Sequence, residues 1–193
     1  MWIRAIAALL VSAIVAPGAV AQEEHAQDAE TQVEQAVLAA PESMRAAATV
    51  LGYGGGDRPG DPLTVLREGT NSLICLADDP GAEGFHVACY QSALDGFMVL
   101  GRRLKAEGMG RSEIMDARYA ALRDGDFTMP DRALLYSVSA DDGPDDLEGA
   151  RRLAVVYVPG ATAEELGLPA RPDGTAPWLM LPGTPWAHIM IGR

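Results

Sequence analysis

Residues 67–91 read REGTNSLICLADDPGAEGFHVACYQ, from Arg67 to Gln91, and they hold both cysteines of the chain, Cys75 and Cys89. Two short runs, Leu63 to Glu68 and Ser72 to Ala77, flank Gly69-Thr70-Asn71, the pattern of a hairpin with a three-residue connection. Cys75 then falls midway along the second strand. Two cysteines in an oxidising compartment pair with one another, and here they close a loop of 15 residues counting both ends, worth about 3 kcal/mol in the chain-entropy picture. The link pins the turn Asp78-Asp79-Pro80-Gly81 and His86 against the body of the protein. A metal held by two free thiols is the alternative, and no C-x-x-C spacing supports it.

The oxidising compartment is itself read from the N-terminus. Met1 to Arg4 is a positive end, Ala5 to Val15 an apolar run, and Ala19-Val20-Ala21 an A-x-A cleavage site. The run is shorter than the ~20 apolar residues that a spanning helix needs. No cysteine follows the cleavage site, which argues against a lipid anchor. Residues 1–21 are therefore expected to be a signal peptide, leaving a mature chain with no membrane insertion, in the periplasm or secreted. That mature chain carries 14 basic against 27 acidic side chains. Such a balance strongly disfavours nucleic acid and anionic membrane surfaces as partners, since both demand clustered Lys and Arg.

Working outward, Gln22 to Gln35 is rich in Gln, Glu and Ala, and residues 22–40 read as a flexible acidic leader, with a helical turn as the alternative where Val33 and Val37 stand four apart. Residues 41–193 then form one domain. After Cys89 the period becomes helical. Tyr90, Leu94, Phe97, Gly101 and Leu104 share one stripe, and Gly108 stops it. Ser112 is positioned to cap a second helix with apolar face Ile114, Ala117, Ala121 and Leu122, ended by Gly125. Ala133 to Ser139 and Leu153 to Val158 read as strands. Thr162-Ala163-Glu164-Glu165 is a capping box closed by Gly167. Pro169 to Pro185 reads as irregular, and Trp186 to Ile191 as a closing strand that alternates Trp186, His188 and Met190 against Ala187, Ile189 and Ile191. The expectation is an α+β fold: a mainly antiparallel sheet, two central helices packed on one face, and one disulfide.

Motifs for chemistry are few. The chain has no G-x-S-x-G, H-E-x-x-H, C-x-x-C-H or G-x-x-x-x-G-K-[ST] pattern. Gly54 to Gly60 therefore reads as a linker, and the five carboxylates from Asp141 to Glu148 as a solvated loop without EF-hand spacing. No cofactor is expected. The histidines are His25, His86 and His188, so acid–base or metal chemistry would rest on His188 and His86 with Glu68 or Asp78. His188 and Met190 with a further Met or His form a weaker copper set, since the eight methionines are scattered along the chain. Trp178 and Trp186 are candidate walls of a ligand pocket, and Tyr157 a core residue.

Two blocks, Leu66-Arg67-Glu68-Gly69-Thr70-Asn71 through Cys89 and Pro177-Trp178-Leu179-Met180 through Ile191, resemble a family of small exported bacterial proteins to which no function is assigned. The chain departs from some relatives at Ser72-Leu73-Ile74, where they carry a tryptophan. The resemblance implies an exported, disulfide-bearing envelope protein and transfers no catalytic residue. Two function classes follow: a non-enzymatic envelope protein that binds a small ligand or another protein, and a small hydrolase or metal-dependent enzyme using His188 and His86 with a carboxylate.

Overall fold

A computed structural model describes residues 28–54, 61–145 and 147–192. The expected signal peptide, His25, most of the Gly54–Gly60 linker and Asp146 lie outside the described residues. Eight strands form one sheet among them: β1 (Thr49–Gly52), β2 (Thr64–Arg67), β3 (Leu73–Leu76), β4 (Phe85–Gln91), β5 (Ala133–Ala140), β6 (Arg151–Tyr157), β7 (Trp178–Met180) and β8 (His188–Gly192). Their spatial order is β2-β1-β3-β4-β5-β6-β8-β7, antiparallel throughout except for β1 beside β3. The helices are α1 (Ala29–Ala36), α2 (Glu42–Arg45), α3 (Asp95–Ala106), α4 (Arg111–Asp124) and α5 (Ala163–Leu166). The fold is α+β with one disulfide.

Cys75 and Cys89 stand directly opposite one another on β3 and β4 and are bonded, with their Cα atoms 4.0 Å apart. The link therefore staples two neighbouring strands, and the acidic turn lies beyond their ends. Phe85–Gln91 is a strand rather than a loop passing into a helix. Its Phe85, Val87 and Cys89 alternate with His86 and Ala88, so one face is buried. Tyr90 belongs to this strand, and the helical stripe begins after it.

The hairpin expected between Leu63–Glu68 and Ser72–Ala77 does not form, because β1 lies between the two strands. Thr70 N and Asn71 N both donate to Ala47 O, at 2.8 and 3.0 Å, as the connection crosses the start of β1. Gly69 permits that crossing. A Cβ there would lie 2.2 Å from Thr49 N and 2.4 Å from Ala48 C.

The flexible leader expected over residues 22–40 is also corrected for its described part. Asp28 caps α1, its Oδ1 accepting from Thr31 N at 2.8 Å. Ala36, Val37 and Ala40 pack on Val50, Leu73, Cys75 and Cys89 in one buried cluster. Gln32 is buried because its amide pairs twice with the Tyr53 backbone: Oε1 accepts from N at 2.8 Å and Nε2 donates to O at 3.1 Å. Few apolar residues suffice here because small side chains bring α1 close to the disulfide, with Cys89 Sγ 3.4 Å from Ala36 O.

The opposite sheet face carries the larger core. Tyr90, Leu94, Phe97, Met98, Val155, Tyr157 and Trp186 are buried together, with Met115, Tyr119 and Leu122 of α4 against them. Phe97 meets Trp186 edge-on at 4.9 Å between ring centroids, an arrangement the aromatic quadrupole favours. Gly110, not Ser112, precedes α4, and the Glu113 carboxylate accepts from its N–H at 2.8 Å. Gly125 ends α4 in the left-handed region (φ 83°), as expected of a helix-stopping glycine.

Candidate functional site

Between the α3–α4 pair and the far strands of the sheet lies an open cavity of about 610 Å³, within the range of small-molecule sites. Its floor is Val155 and Tyr157 of β6 with His188 and Met190 of β8; Trp186, Met180 and Leu181 close one side. These residues reach it by strand alternation: Tyr157 pairs with His188, Val155 with Met190 and Met180 with His188, so all present the same sheet face. Met109, Ile114 and Met115 form the helical side. Four of the eight methionines thus converge on one cavity, although they are scattered in sequence. Thioether side chains adapt to irregular ligands.

Leu181, another wall residue, is the one non-glycine among the described residues with left-handed backbone, at φ 57°. A turn holds it there: Thr184 Oγ1 donates to Leu181 O at 2.8 Å, and Gly183 N to Ala161 O at 2.8 Å. Such a conformation costs of order 1–3 kcal/mol for a non-glycine.

Every formally charged residue in the wall is basic: Arg102, Lys105, Arg111 and Arg118. Two of them are neutralised. Arg102 grips both carboxylate oxygens of the buried Asp61 and donates to the Tyr90 hydroxyl at 2.9 Å. Lys105 meets Asp79 at 2.8 Å. Arg118 is different. Its guanidinium lies against the rings of Phe97 (4.7 Å) and Trp186 (5.9 Å), and its buried Nε has no hydrogen-bond partner. It lies across Gly101 of α3, where a Cβ would fall 2.0 Å from Nη2. Burial lowers its pKa. Trp186 Nε1 is buried against the Tyr157 hydroxyl. Burial pushes the Tyr157 hydroxyl up to about 12, opposed by the Arg118 charge.

His188 is buried, and its Nδ1 lies 2.7 Å from Trp186 O. A carbonyl only accepts, so Nδ1 carries the proton and Nε2 is left as an acceptor. Burial lowers the ring's pKa, with a smaller opposing effect from the Trp186 carbonyl.

A second cavity of about 320 Å³ lies on the same sheet face near the β3–β4 end, lined in part by Tyr53, Asp79, His86 and Lys105. Burial and the neighbouring Asp79 and Asp78 raise Tyr53 to about 12. The Lys105 hydrogen bond lowers Asp79.

The proposed combination of His188, His86 and a carboxylate is not assembled. The strand register places the two histidines three strands and six residues apart, roughly 25 Å. Asp78 does sit beside His86, accepting from its backbone N–H at 2.9 Å. Glu68 is exposed at the end of β2, the sheet edge remote from His188. Among the described residues no group of three or more His, Cys, Asp or Glu is placed to hold a metal. Of the two candidate pocket tryptophans, Trp186 lines the large cavity. Trp178 is half-buried on edge strand β7 opposite Met190, outside the wall.

Arg118 escaped the sequence reading, though a signal existed, and Gly101 was read only as a member of the helical stripe. Arg118 stands four residues after Ile114 and four before Leu122, a charge inside the predicted apolar stripe. Among the described residues no helix is long and apolar enough to cross a membrane. No protein-family model, curated protein or solved structure matches this chain.

Proposed function

We propose that this is an exported, non-enzymatic binding protein that holds a small molecule with an apolar body between α3–α4 and β6–β8–β7. The observation that carries the reading is the cavity of about 610 Å³ with an adaptable wall of methionines on a firm sheet floor. Binding to such a cleft would draw on burial of apolar surface at about 25 cal/mol per Å². The Cys75–Cys89 bond is in keeping with an oxidising compartment, as are the expected signal peptide and the resemblance to exported bacterial proteins. His188, with its ring held by the Trp186 carbonyl, serves as wall and acceptor rather than as a catalytic base.

The test is titration of the mature protein with the neutral fluorescent probe N-phenylnaphthylamine. Saturable binding is expected, and Met115→Trp, which fills the cavity from α4, should abolish it. Unchanged binding in Met115→Trp would refute the site. For export, the mature protein recovered from the periplasm should begin at Gln22.

A further inference from the structure

Resting on that reading, we infer that the cavity selects an amphipathic organic anion, a carboxylate on an apolar chain or ring, with Arg118 as the group that recognises the head.

The chain has 27 acidic residues against 15 basic ones, yet among the described residues no Asp or Glu lines this cavity and four cations do. The smaller cavity, by contrast, has Asp79 in its wall. Arg102 and Lys105 already have carboxylate partners, whereas neither Arg118 nor Arg111 has one among the described residues. A half-buried guanidinium without a counter-charge is costly, and proteins ordinarily pair it. Here the fold instead builds a seat for it. Phe97 and Trp186, themselves in contact, lie against it, and the missing Cβ of Gly101 makes room. The planar fork of an arginine matches a carboxylate in two parallel hydrogen bonds. Arg111, exposed at the first turn of α4, adds positive charge at the rim. The methionines, Tyr157 and Val155 are left to meet the apolar body.

Gly101→Ala supplies a sharp test. An alanine suits the helix interior better than glycine, and the atoms it would strike are the movable end of Arg118. The variant should fold, with the guanidinium pushed aside. Decanoate, decanol and decyltrimethylammonium are titrated calorimetrically into the full mature protein, into Gly101→Ala and into Arg118→Met. Decanoate should bind at least about tenfold more tightly than decanol, and the cation more weakly than either. Both variants should lose the preference for decanoate while still binding decanol. Decanol binding as tightly as decanoate, or either variant keeping the preference, would overturn the assignment of the anion while leaving the cavity as a ligand site. Failure of all three probes to bind the unaltered protein would overturn the underlying reading with it.

Discussion

Arg118→Met is expected to leave the stability no more than about 1 kcal/mol below that of the parent, and on balance slightly above it. The substitution keeps an unbranched, half-buried side chain and removes the charge. On one side, it forfeits the contacts of the guanidinium with Phe97 and Trp186, about 0.5–1 kcal/mol each where water still reaches. On the other, it removes a buried donor, Nε, that has no partner, a defect of about 1–3 kcal/mol. The balance runs from about 1 kcal/mol of destabilisation to about 2 kcal/mol of stabilisation. A structural arginine behaves otherwise: removing one member of a buried ion pair costs about 3–5 kcal/mol. Urea unfolding followed by circular dichroism separates the two, provided the slope m is unchanged. A loss of more than about 1 kcal/mol at constant m would show that Arg118 holds the fold together, and the argument for it as a ligand group would fail.

Gly69→Ala should cost about 2–3 kcal/mol, because the new Cβ meets only backbone and must break up to three hydrogen bonds worth about 1 kcal/mol each: those of Thr70 N and Asn71 N to Ala47 O, and of Gly69 N to Thr49 Oγ1. A chemical denaturation midpoint equal to that of the parent would refute the crossing. The double variant Cys75→Ala, Cys89→Ala should lose about 3 kcal/mol for its 15-residue loop, read in the same way against the oxidised parent. His188 titrates below its ordinary 6.5 in the folded state, so the unfolded chain binds the extra proton first. Its contribution to stability is complete above about pH 6.5 and falls as the pH drops toward the folded pKa, with a slope of at most about 1.4 kcal/mol per pH unit. His188→Gln should flatten the pH profile of stability over that window. Identical profiles for the two proteins would contradict the burial argument.

Local signals in this chain were legible where the chemistry is local. The Thr162–Glu165 box closes as read, with Thr162 N donating to the Glu165 carboxylate at 2.9 Å. The alternation of His188 and Met190 on β8 correctly put both on one face. The strand over Phe85–Gln91 was hidden because its period-two pattern is short and runs into the helical stripe at Tyr90. The position of β1 between β2 and β3 depends on a parallel pairing that no turn residue announces. Residues 28–40 misled for a related reason. Alanines and Gln32 do not look like a core until they meet the disulfide and the Tyr53 backbone. The cavity was the least visible feature, since Met109, Met115, Met180 and Met190 come together only through the packing of α4 on β6–β8–β7.

Methyl NMR of the methionines, titrated with decanoate, tests the central claim most directly. The signals of Met109, Met115, Met180 and Met190 should shift in a saturable way, while Met44, packed on the opposite sheet face against the α1 cluster, stays in place. Movement of Met44 alone, or of none of the four cavity methyls at saturating decanoate, would contradict the account.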